Sequence, residues 1–189
     1  MLTHKGTQTI KTERLILRRF TLEDAKPMFE TWANDERVTK FMTWSPHGTL
    51  DVTEYLVDLW VKDYEKENCY NWVIELEGRI IGSISVVGID DQSERAEIGY
   101  CSAFDCWGKG IMTEAAGAVI DFLFKEVNVN RIIITHATKN PGSGKVAKKC
   151  GLTLEGIQRE HFKANNGEFL DIAILSILRK EWLKKETLR

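Results

Sequence analysis

The sequence predicts one α/β domain in which a mostly antiparallel sheet carries a local β-α-β unit. Strand-length apolar or alternating segments recur along the chain, and longer segments between them repeat apolar residues at helical spacing. Turn residues such as glycine and asparagine separate these segments. The inferred order is β-α-α-β-β-β-α-β-α-β-β, with a tail helix near residues 179–185, which gives about seven strands flanked by helices.

Length and composition support a single domain spanning residues 1–189. The chain is 43% hydrophobic and 29% charged, which excludes a disordered protein. Its 26 basic and 28 acidic residues give a net charge of −2, which argues against a nucleic-acid partner. No segment approaches the ~18 apolar residues of a membrane span, and residues 1–12 lack the apolar core of a signal peptide. We therefore expect a cytoplasmic protein with no membrane partner.

Cysteine and histidine spacing predicts no metal site. The four cysteines form no CxxC pair, and the four histidines are isolated from one another. We expect free thiols in a reducing compartment.

The first third of the chain predicts one strand and two helices. Residues 14–20 alternate as a strand does, and residues 21–34 place apolar side chains on one helical face. Pro27 has no backbone N–H, so we expect the first turn of that helix to be irregular. A second amphipathic helix at residues 51–66 is expected to turn these side chains inward: Val52, Tyr55, Leu56, Leu59 and Trp60.

The remainder predicts the sheet and two further helices. A Glu77-Gly78 turn predicts a hairpin, and a short helix is expected to end at Gly151. The predicted strands are residues 71–76, 79–87, 95–102, 131–137, 154–162 and 168–178, and the helix after the third of them spans residues 111–126.

The first segment whose residues indicate a chemical role is residues 107–113 (WGKGIMT), between a strand and a helix. Gly108 and Gly110 let the backbone approach a ligand closely, and the helix that follows offers unpaired N–H groups and a positive dipole end. Lys109 adds a positive charge. The pattern is typical of a pyrophosphate cradle, although a tight strand-to-helix turn would also need glycine.

The second segment is residues 140–147 (NPGSGKVA), which also joins a strand to a helix. Gly142, Gly144 and Ala147 match the G-x-G-x-x-A pattern of dinucleotide-binding proteins and would indicate a nucleotide-dependent oxidoreductase. That pattern belongs to the first turn of a doubly wound sheet, whereas here it lies late and precedes a hairpin. The dinucleotide interpretation is therefore the weaker one.

The third segment is the strand at residues 95–102 (RAEIGYCS). Alternation places Glu97, Gly99 and Cys101 on one face, opposite Ile98 and Tyr100. A carboxylate in mid-strand is costly to bury unpaired, and such a group can serve as a general base. The structural alternative is an ion pair with Arg95 on the same face.

Together and in this order, these segments resemble the GNAT superfamily of acyl-CoA-dependent N-acetyltransferases. The resemblance is strongest to its ribosomal-protein alanine N-acetyltransferase branch and covers nearly the whole chain. It rests on residues 96–100 (AEIGY), 107–115 (WGKGIMTEA), Asn140 with Ser143, and residues 149–152 (KCGL).

The resemblance implies a splayed β-α-β unit that binds acetyl-CoA as cosubstrate, without a metal ion. Trp107 and Met112 depart from the family pattern, which removes one side-chain contact to phosphate but leaves the backbone contacts available. The implied cofactor-binding residues are Cys101, Ser102, Ala103, Trp107, Gly108, Lys109, Gly110, Ile111, Met112, Thr113, Asn140 and Ser143.

For catalysis, the resemblance implies Glu97 as the base. The family often uses a tyrosine to protonate the leaving thiolate, but Ala147 stands at that position. Ser143 is the residue that we expect to replace it. Backbone N–H groups near the splayed strand are implied to stabilise the oxyanion.

The resemblance also implies a primary amine as acceptor, entering opposite the cofactor. Trp44 and His161 are expected to line its path, with His47 and Phe162 as further candidates. The ribosomal branch favours the N-terminal α-amine of a protein, while a polyamine, an aminoglycoside or another small amine remains open. A non-catalytic acyl-CoA-binding module is the other alternative, and we expect a monomer or homodimer.

Overall fold

The computed structural model describes residues 1–187, in which eight strands form one sheet. The strands lie in the order β1-β2-β3-β4-β5-β6-β8-β7, so that only the last two depart from sequence order. Their bounds are β1 Ile10–Lys11, β2 Leu15–Arg18, β3 Asn71–Leu76, β4 Arg79–Asp90, β5 Arg95–Ser102, β6 Arg131–Ala137, β7 Thr153–Lys163 and β8 Phe169–Leu178.

Helices cover both faces of this sheet. The α-helical segments are α1 Ala25–Met28, α2 Glu36–Thr39, α3 Leu50–Asp63, α4 Ile111–Phe122, α5 Pro141–Lys149 and α6 Arg179–Glu186. A π-helical turn extends α1 through Phe29–Ala33, and another extends α4 through Leu123–Val127.

Strand pairing is antiparallel everywhere except between β5 and β6. Those two strands pair in parallel over only three residue pairs, from Arg95 with Arg131 to Glu97 with Ile133. Beyond that point β5 stays with β4 and β6 stays with β8, so the two strands separate. The predicted α/β fold with its splayed β-α-β unit is therefore confirmed. The eighth strand, β1, was not predicted because it is only two residues long.

Two apolar clusters stabilise the sheet from opposite faces. Ala96 and Ile98 of β5 pack into the larger cluster, which also contains most of the buried side chains of α4. Cys101 packs against the smaller cluster, which includes Trp32 and Val57 from the helices on the other face. The alternation of β5 thus sends its two sets of side chains into two separate environments.

The inward face predicted for α3 is only partly right, since of the five predicted residues only Leu56 and Trp60 are half-buried and line the cleft. Thr53 and Val57 are fully buried, whereas Val52 is 42% exposed, Tyr55 65% and Leu59 39%. The polar Thr53 turns inward because its hydroxyl hydrogen-bonds the ring of His47 at 2.7 Å. The irregularity expected near Pro27 is present, as a 3₁₀ turn at Leu22–Asp24 before α1.

Within residues 1–187, no helix combines the length and the apolar character that crossing a lipid bilayer demands. Over the same residues, no group of three or more His, Cys, Asp or Glu side chains is arranged to hold a metal ion. All four cysteines are free thiols.

Candidate functional site

The separation of β5 from β6 opens a cleft of about 1690 Å³ through the middle of the sheet. One side of the cleft, here called the α4/α5 side, is formed by the end of β5 and the first turns of α4 and α5. The other, here called the α1/α3 side, is formed by α1, the segment between α2 and α3, α3 itself, Glu97 of β5 and parts of β6, β7 and β8. A ligand in the cleft can therefore be reached from both faces of the sheet.

The α4/α5 side is built mainly from backbone. Gly108 and Gly110 both have φ near +75°, in the left-handed region that other residues adopt only with strain. Gly110 is the N-cap of α4, and the N–H groups of Ile111, Met112 and Thr113 have no partner in the preceding turn. All of these residues line the cleft, so the helix presents its positive end to an anion there.

A network from the N-terminal strands holds this loop in place. Arg14 donates to the carbonyl of Lys109 at 3.2 Å and pairs with Glu114 of α4 at 2.7 Å. Burial opposes the charge on Glu114, but hydrogen bonds from Thr12 and Arg14 outweigh it and lower the pKa of that carboxyl. The loop geometry is thus fixed by contacts that sequence analysis did not anticipate.

Two of the residues implied to bind the cofactor do not line the cleft, namely Ala103 and Lys109. Ala103 is buried, and its N–H donates to the carbonyl of Ile81. Trp107 does line the cleft, but its indole Nε1 donates to the carbonyl of Ser102 at 3.0 Å. The indole therefore ties the loop to the end of β5.

The start of α5 contributes the rest of this side. The Oδ1 atom of Asn140 accepts from the backbone N–H of Ser143 at 3.2 Å and caps the helix, with Pro141 at the first helical position. Lys145 and Lys149 also line the cleft and bring positive charge to it.

The glycine pattern of α5 has a packing explanation. A Cβ atom at Gly144 would lie 2.8 Å from Nε2 of His136, which is closer than real Cβ contacts. The ring of His136 is held by a 2.7 Å hydrogen bond between Nδ1 and the carbonyl of Ala137. Gly144 therefore accommodates a histidine of β6, which explains this glycine without the dinucleotide interpretation.

Tyr100 is a residue of this side that sequence analysis missed. Its hydroxyl lies 3.0 Å from Oγ of Ser143 and 3.2 Å from the Ser143 carbonyl. Burial raises the pKa of Tyr100 to about 12, although the hydrogen bond with Ser143 acts in the opposite direction. Ala147, where the family tyrosine was expected, is fully buried. Alternation placed Tyr100 on the face opposite Glu97, which was the available signal.

Glu97 lies on the α1/α3 side and lines the cleft. Its Oε1 accepts from the hydroxyl of Thr135 at 2.7 Å, across the gap between β5 and β6. The ion pair with Arg95 considered from the sequence does not form, because Arg95 pairs with Asp90 at 3.3 Å. Thr135 and His136 are the polar residues that follow the apolar centre of β6, and this change of pattern could have indicated the role of Thr135.

Aromatic side chains dominate the rest of the α1/α3 side. We call this set the aromatic wall; all five members are half-buried and line the cleft: Phe41, Trp44, His47, Trp60 and Phe162. Burial lowers the pKa of His47, which favours its neutral form. His161 lines the cleft beside Phe162 and is exposed.

The two ends of the aromatic wall share a packing partner. Phe41 and Phe162 pack against one small buried cluster, which includes Leu170 and Ile172 of β8. The side-chain amide of Asn165, in the β7–β8 turn, donates to the carbonyl of Trp44 at 3.0 Å. The segment after α2 and the final hairpin therefore meet over this side of the cleft.

Comparison with known proteins gives consistent matches along the chain. Residues 14–153 match the family described as Acetyltransferase (GNAT) domain. The uncharacterized N-acetyltransferase p20 of Bacillus licheniformis is 32% identical over 178 residues, which are 93% of this chain and 98% of that protein. A solved GNAT-family acetyltransferase from Bacillus anthracis is 28% identical with a TM-score of 0.80, covering 92% of this chain and 100% of the other.

Two relatives whose names state an acceptor are named for different acceptors. The ribosomal-protein-serine acetyltransferase of Escherichia coli K12 is 29% identical over 82% of this chain and 88% of that protein. The spermidine N(1)-acetyltransferase of Vibrio cholerae is 24% identical over 80% of this chain and 86% of that protein.

A solved structure also bears on the cofactor. The microcin C7 self-immunity acetyltransferase MccE, solved with acetyl-CoA and AMP, is 26% identical with a TM-score of 0.79 over 88% of this chain and 93% of the other. With the family match and the relatives above, this makes the protein a member of the GNAT acetyltransferase family.

Proposed function

We propose that this enzyme transfers the acetyl group of acetyl-CoA to a primary amine. The observation that carries the proposal is the cleft between β5 and β6, because it joins two unlike environments. A backbone cradle for an anion lies on one face of the sheet, and a carboxylate lies on the other. An acyl donor and an amine could meet there from opposite sides.

The residues of the α4/α5 side fit the donor. The N–H groups of Ile111, Met112 and Thr113 suit a pyrophosphate, with Lys145 and Lys149 adding charge. Beyond Glu97, the edge of β5 that faces β6 has no strand partner, so its backbone groups can pair with an extended chain such as pantetheine. When bound, acetyl-CoA supplies an activated acyl group as a thioester.

Glu97 is proposed as the group that takes a proton from the amine. An alkylammonium must lose a proton before its nitrogen can attack, and a carboxylate within reach provides the acceptor. The hydrogen bond from Thr135 fixes the orientation of the Glu97 side chain at the point where the strands separate. The same carboxylate offers a counter-charge that holds the cationic amine at the cleft.

Ser143 is proposed to donate a hydrogen bond to the departing thiolate. For that role its own proton must point into the cleft, which leaves its oxygen free to accept a hydrogen bond. The Tyr100 hydroxyl, 3.0 Å away, can donate to Oγ in this way. Tyr100 then acts as a positioning residue for Ser143.

For the acceptor, we propose the N-terminal α-amine of a protein such as a ribosomal protein. This choice is supported by the likeness to the ribosomal-protein-serine acetyltransferase, which is more similar to this chain than the spermidine acetyltransferase is. The N1 atom of spermidine is also a primary amine, so the proposed reaction is the same for either acceptor.

Thiol release from acetyl-CoA, followed by mass spectrometry of the acceptor, tests the proposal. The panel contains peptides with free N-termini, the same peptides blocked at the N-terminus, and spermidine. A mass increase of one acetyl group on the free α-amine alone supports the proposal. Acetylation of spermidine but of no peptide would overturn the protein acceptor, and no acetylated amine would overturn the reaction.

A further inference from the structure

The aromatic wall adjoins the part of the cleft where the acceptor is proposed to bind, because Phe41 and Phe162 pack against a cluster with Ala137, two residues after the Thr135 that bonds Glu97. Its five members come from the segment after α2, from α3 and from β7, so three separate parts of the chain converge there. Each ring is half-buried and therefore still presents surface to a ligand. Aromatic surface of this kind stabilises an apolar or aromatic group that packs against it.

Negative charge in the cleft is scarce. Among the described residues, two carboxylates line it, Asp63 and Glu97. Asp63 is paired with Lys66 at 2.5 Å, whereas Glu97 accepts only the neutral hydroxyl of Thr135. One carboxylate is therefore available to balance one ammonium group.

A polyamine fits this charge distribution poorly. Each ammonium group beyond the first would lose water on entering the cleft without gaining a carboxylate partner, and burying an unpaired charge is costly. His47 adds no negative charge, and Lys145 and Lys149 on the other side are positive. A single cation followed by apolar surface matches the step along β6 from Thr135, which holds Glu97, to Ala137, whose cluster carries Phe41 and Phe162.

Resting on the proposed amine acetylation, we propose that the acceptor is a primary monoamine with an apolar or aromatic group a few bonds from its nitrogen. The nitrogen lies at Glu97, and the apolar group packs against Trp44 and its neighbours in the aromatic wall. The N-terminal residue of a peptide and a small arylalkylamine both have this chemistry. Phenylalanine or leucine is the expected first residue for a peptide.

The test compares four acceptors at saturating acetyl-CoA: 2-phenylethylamine, a tripeptide beginning with phenylalanine, the same tripeptide beginning with serine, and spermidine. We expect kcat/KM for at least one of the two aromatic acceptors to exceed that for spermidine at least about tenfold. A single methylene group in an apolar pocket already changes kcat/KM about tenfold or more. The two aromatic acceptors distinguish the peptide source from the small-molecule source. If spermidine or the serine peptide is acetylated as fast as both aromatic acceptors or faster, the inference is overturned, while amine acetylation remains intact.

A matched pair of variants tests whether the aromatic wall causes the preference for an aromatic acceptor. Trp44→Ala should lower kcat/KM for the preferred aromatic acceptor about 2-fold to 12-fold, as expected for the loss of one aromatic contact, with the KM for acetyl-CoA unchanged. Tyr55→Ala is the control, because Tyr55 is an exposed aromatic residue of α3 that lies outside the cleft. Equal effects of the two variants would overturn the role of the wall. The acceptor comparison in the unmodified enzyme decides the inference even if Trp44→Ala is unstable.

Binding measurements distinguish a failure of the proposed reaction from a failure of the inferred acceptor preference. If no acceptor is acetylated, the proposed function fails, and calorimetric titration of the CoA-loaded protein with 2-phenylethylamine and spermidine then tests the inference separately. Tighter binding of 2-phenylethylamine supports the single-cation aromatic site. Tighter or equal binding of spermidine contradicts it.

Discussion

The two sides of the cleft are built in different ways. The α4/α5 side uses backbone N–H groups and glycine conformations from two short segments, residues 101–113 and 140–149. The α1/α3 side uses side chains from α1, the segment between α2 and α3, α3, β5, β6 and the final hairpin, which are far apart in sequence. Backbone groups recognise a ligand without regard to side-chain identity, so the first side can be shared by proteins whose second sides differ. Under the proposed function, we therefore expect selectivity for the acceptor to reside in the side-chain-built half.

The largest expected effect concerns the Glu97 carboxylate on the α1/α3 side. Glu97→Gln keeps the hydrogen bond with Thr135 available but removes the proton acceptor, so kcat at pH 7 should fall about 100-fold to 10,000-fold. The KM for acetyl-CoA should stay within about twofold, because Glu97 lies on the opposite face from the cradle.

The pH–rate profile is the measurement that separates catalysis from binding. The remaining activity of Glu97→Gln should rise with pH, since a larger share of the amine is then already neutral. A profile that matches the unmodified enzyme would remove Glu97 from the mechanism.

The next effect tests the backbone-built side. Gly110→Val forces a β-branched residue into a left-handed conformation at the N-cap of α4, which costs about 1–3 kcal/mol or distorts the cradle. We expect the KM for acetyl-CoA to rise about tenfold, while the preference among acceptors stays unchanged.

Gly117→Ala is the matched control in the same helix. A Cβ atom at Gly117 meets nothing within 4 Å, and alanine has the higher helix propensity. The midpoint of thermal unfolding should therefore rise slightly with unchanged kinetics. Weaker acetyl-CoA binding in Gly117→Ala as well would show that α4 as a whole, and not its N-cap, controls the site.

A smaller effect is expected from the Tyr100–Ser143 pair. Tyr100→Phe and Ser143→Ala should each lower kcat about fivefold to tenfold, the scale of one hydrogen bond, with little change in either KM. The double variant should be no worse than Ser143→Ala, because Tyr100 acts through Ser143. Additive losses in stopped-flow or steady-state rates would show that the two residues act independently.

The same pair gives a pH dependence with a defined sign. Burial raises the pKa of Tyr100 from its ordinary value of 10.0 to about 12, so the folded state favours the protonated phenol. This contribution to stability is present below pH 10 and is lost as the pH rises through about 12. Between pH 10 and about pH 12, the free energy of unfolding of Tyr100→Phe should therefore fall less than that of the unmodified protein. Urea unfolding at a series of pH values measures this difference.

The smallest effect concerns the closure of the aromatic wall. Asn165→Ala removes the hydrogen bond to the Trp44 carbonyl, and since the site is exposed we expect only about a twofold rise in the KM for the amine. The KM for acetyl-CoA should not change. A change of more than about tenfold in steady-state kinetics would show that the bridge controls access rather than adjusting it.

Much of the α4/α5 side was predictable because its information is local. Gly108, Gly110 and Asn140 lie in continuous segments where a strand, a turn and a helix start follow one another, and these segments line the cleft as expected. The exceptions also have local causes. The backbone N–H of Ala103 donates to the carbonyl of Ile81, and Ala103 is buried. The backbone carbonyl of Lys109 accepts a hydrogen bond from Arg14.

The α1/α3 side was harder to predict because each contact joins distant segments. Trp44, His47, His161 and Phe162 were expected near the acceptor, and all four line the cleft, but nothing in the sequence showed that Asn165 would bridge to Trp44. The inward face of α3 was predicted only in part for the same reason, since the partner of the buried Thr53 is His47 in the preceding loop.

The sequence by itself determined the strand and helix order, the glycines at the start of α4 and the family resemblance that the comparisons confirmed. These depend on periodicity, on backbone conformations that favour glycine, and on short motifs. Only the tertiary structure decided that β5 and β6 separate after three pairs, that Tyr100 meets Ser143, and that Glu97 meets Thr135 instead of Arg95. The physical reason is that side-chain partners across a sheet are set by strand register and packing, which a local pattern does not encode.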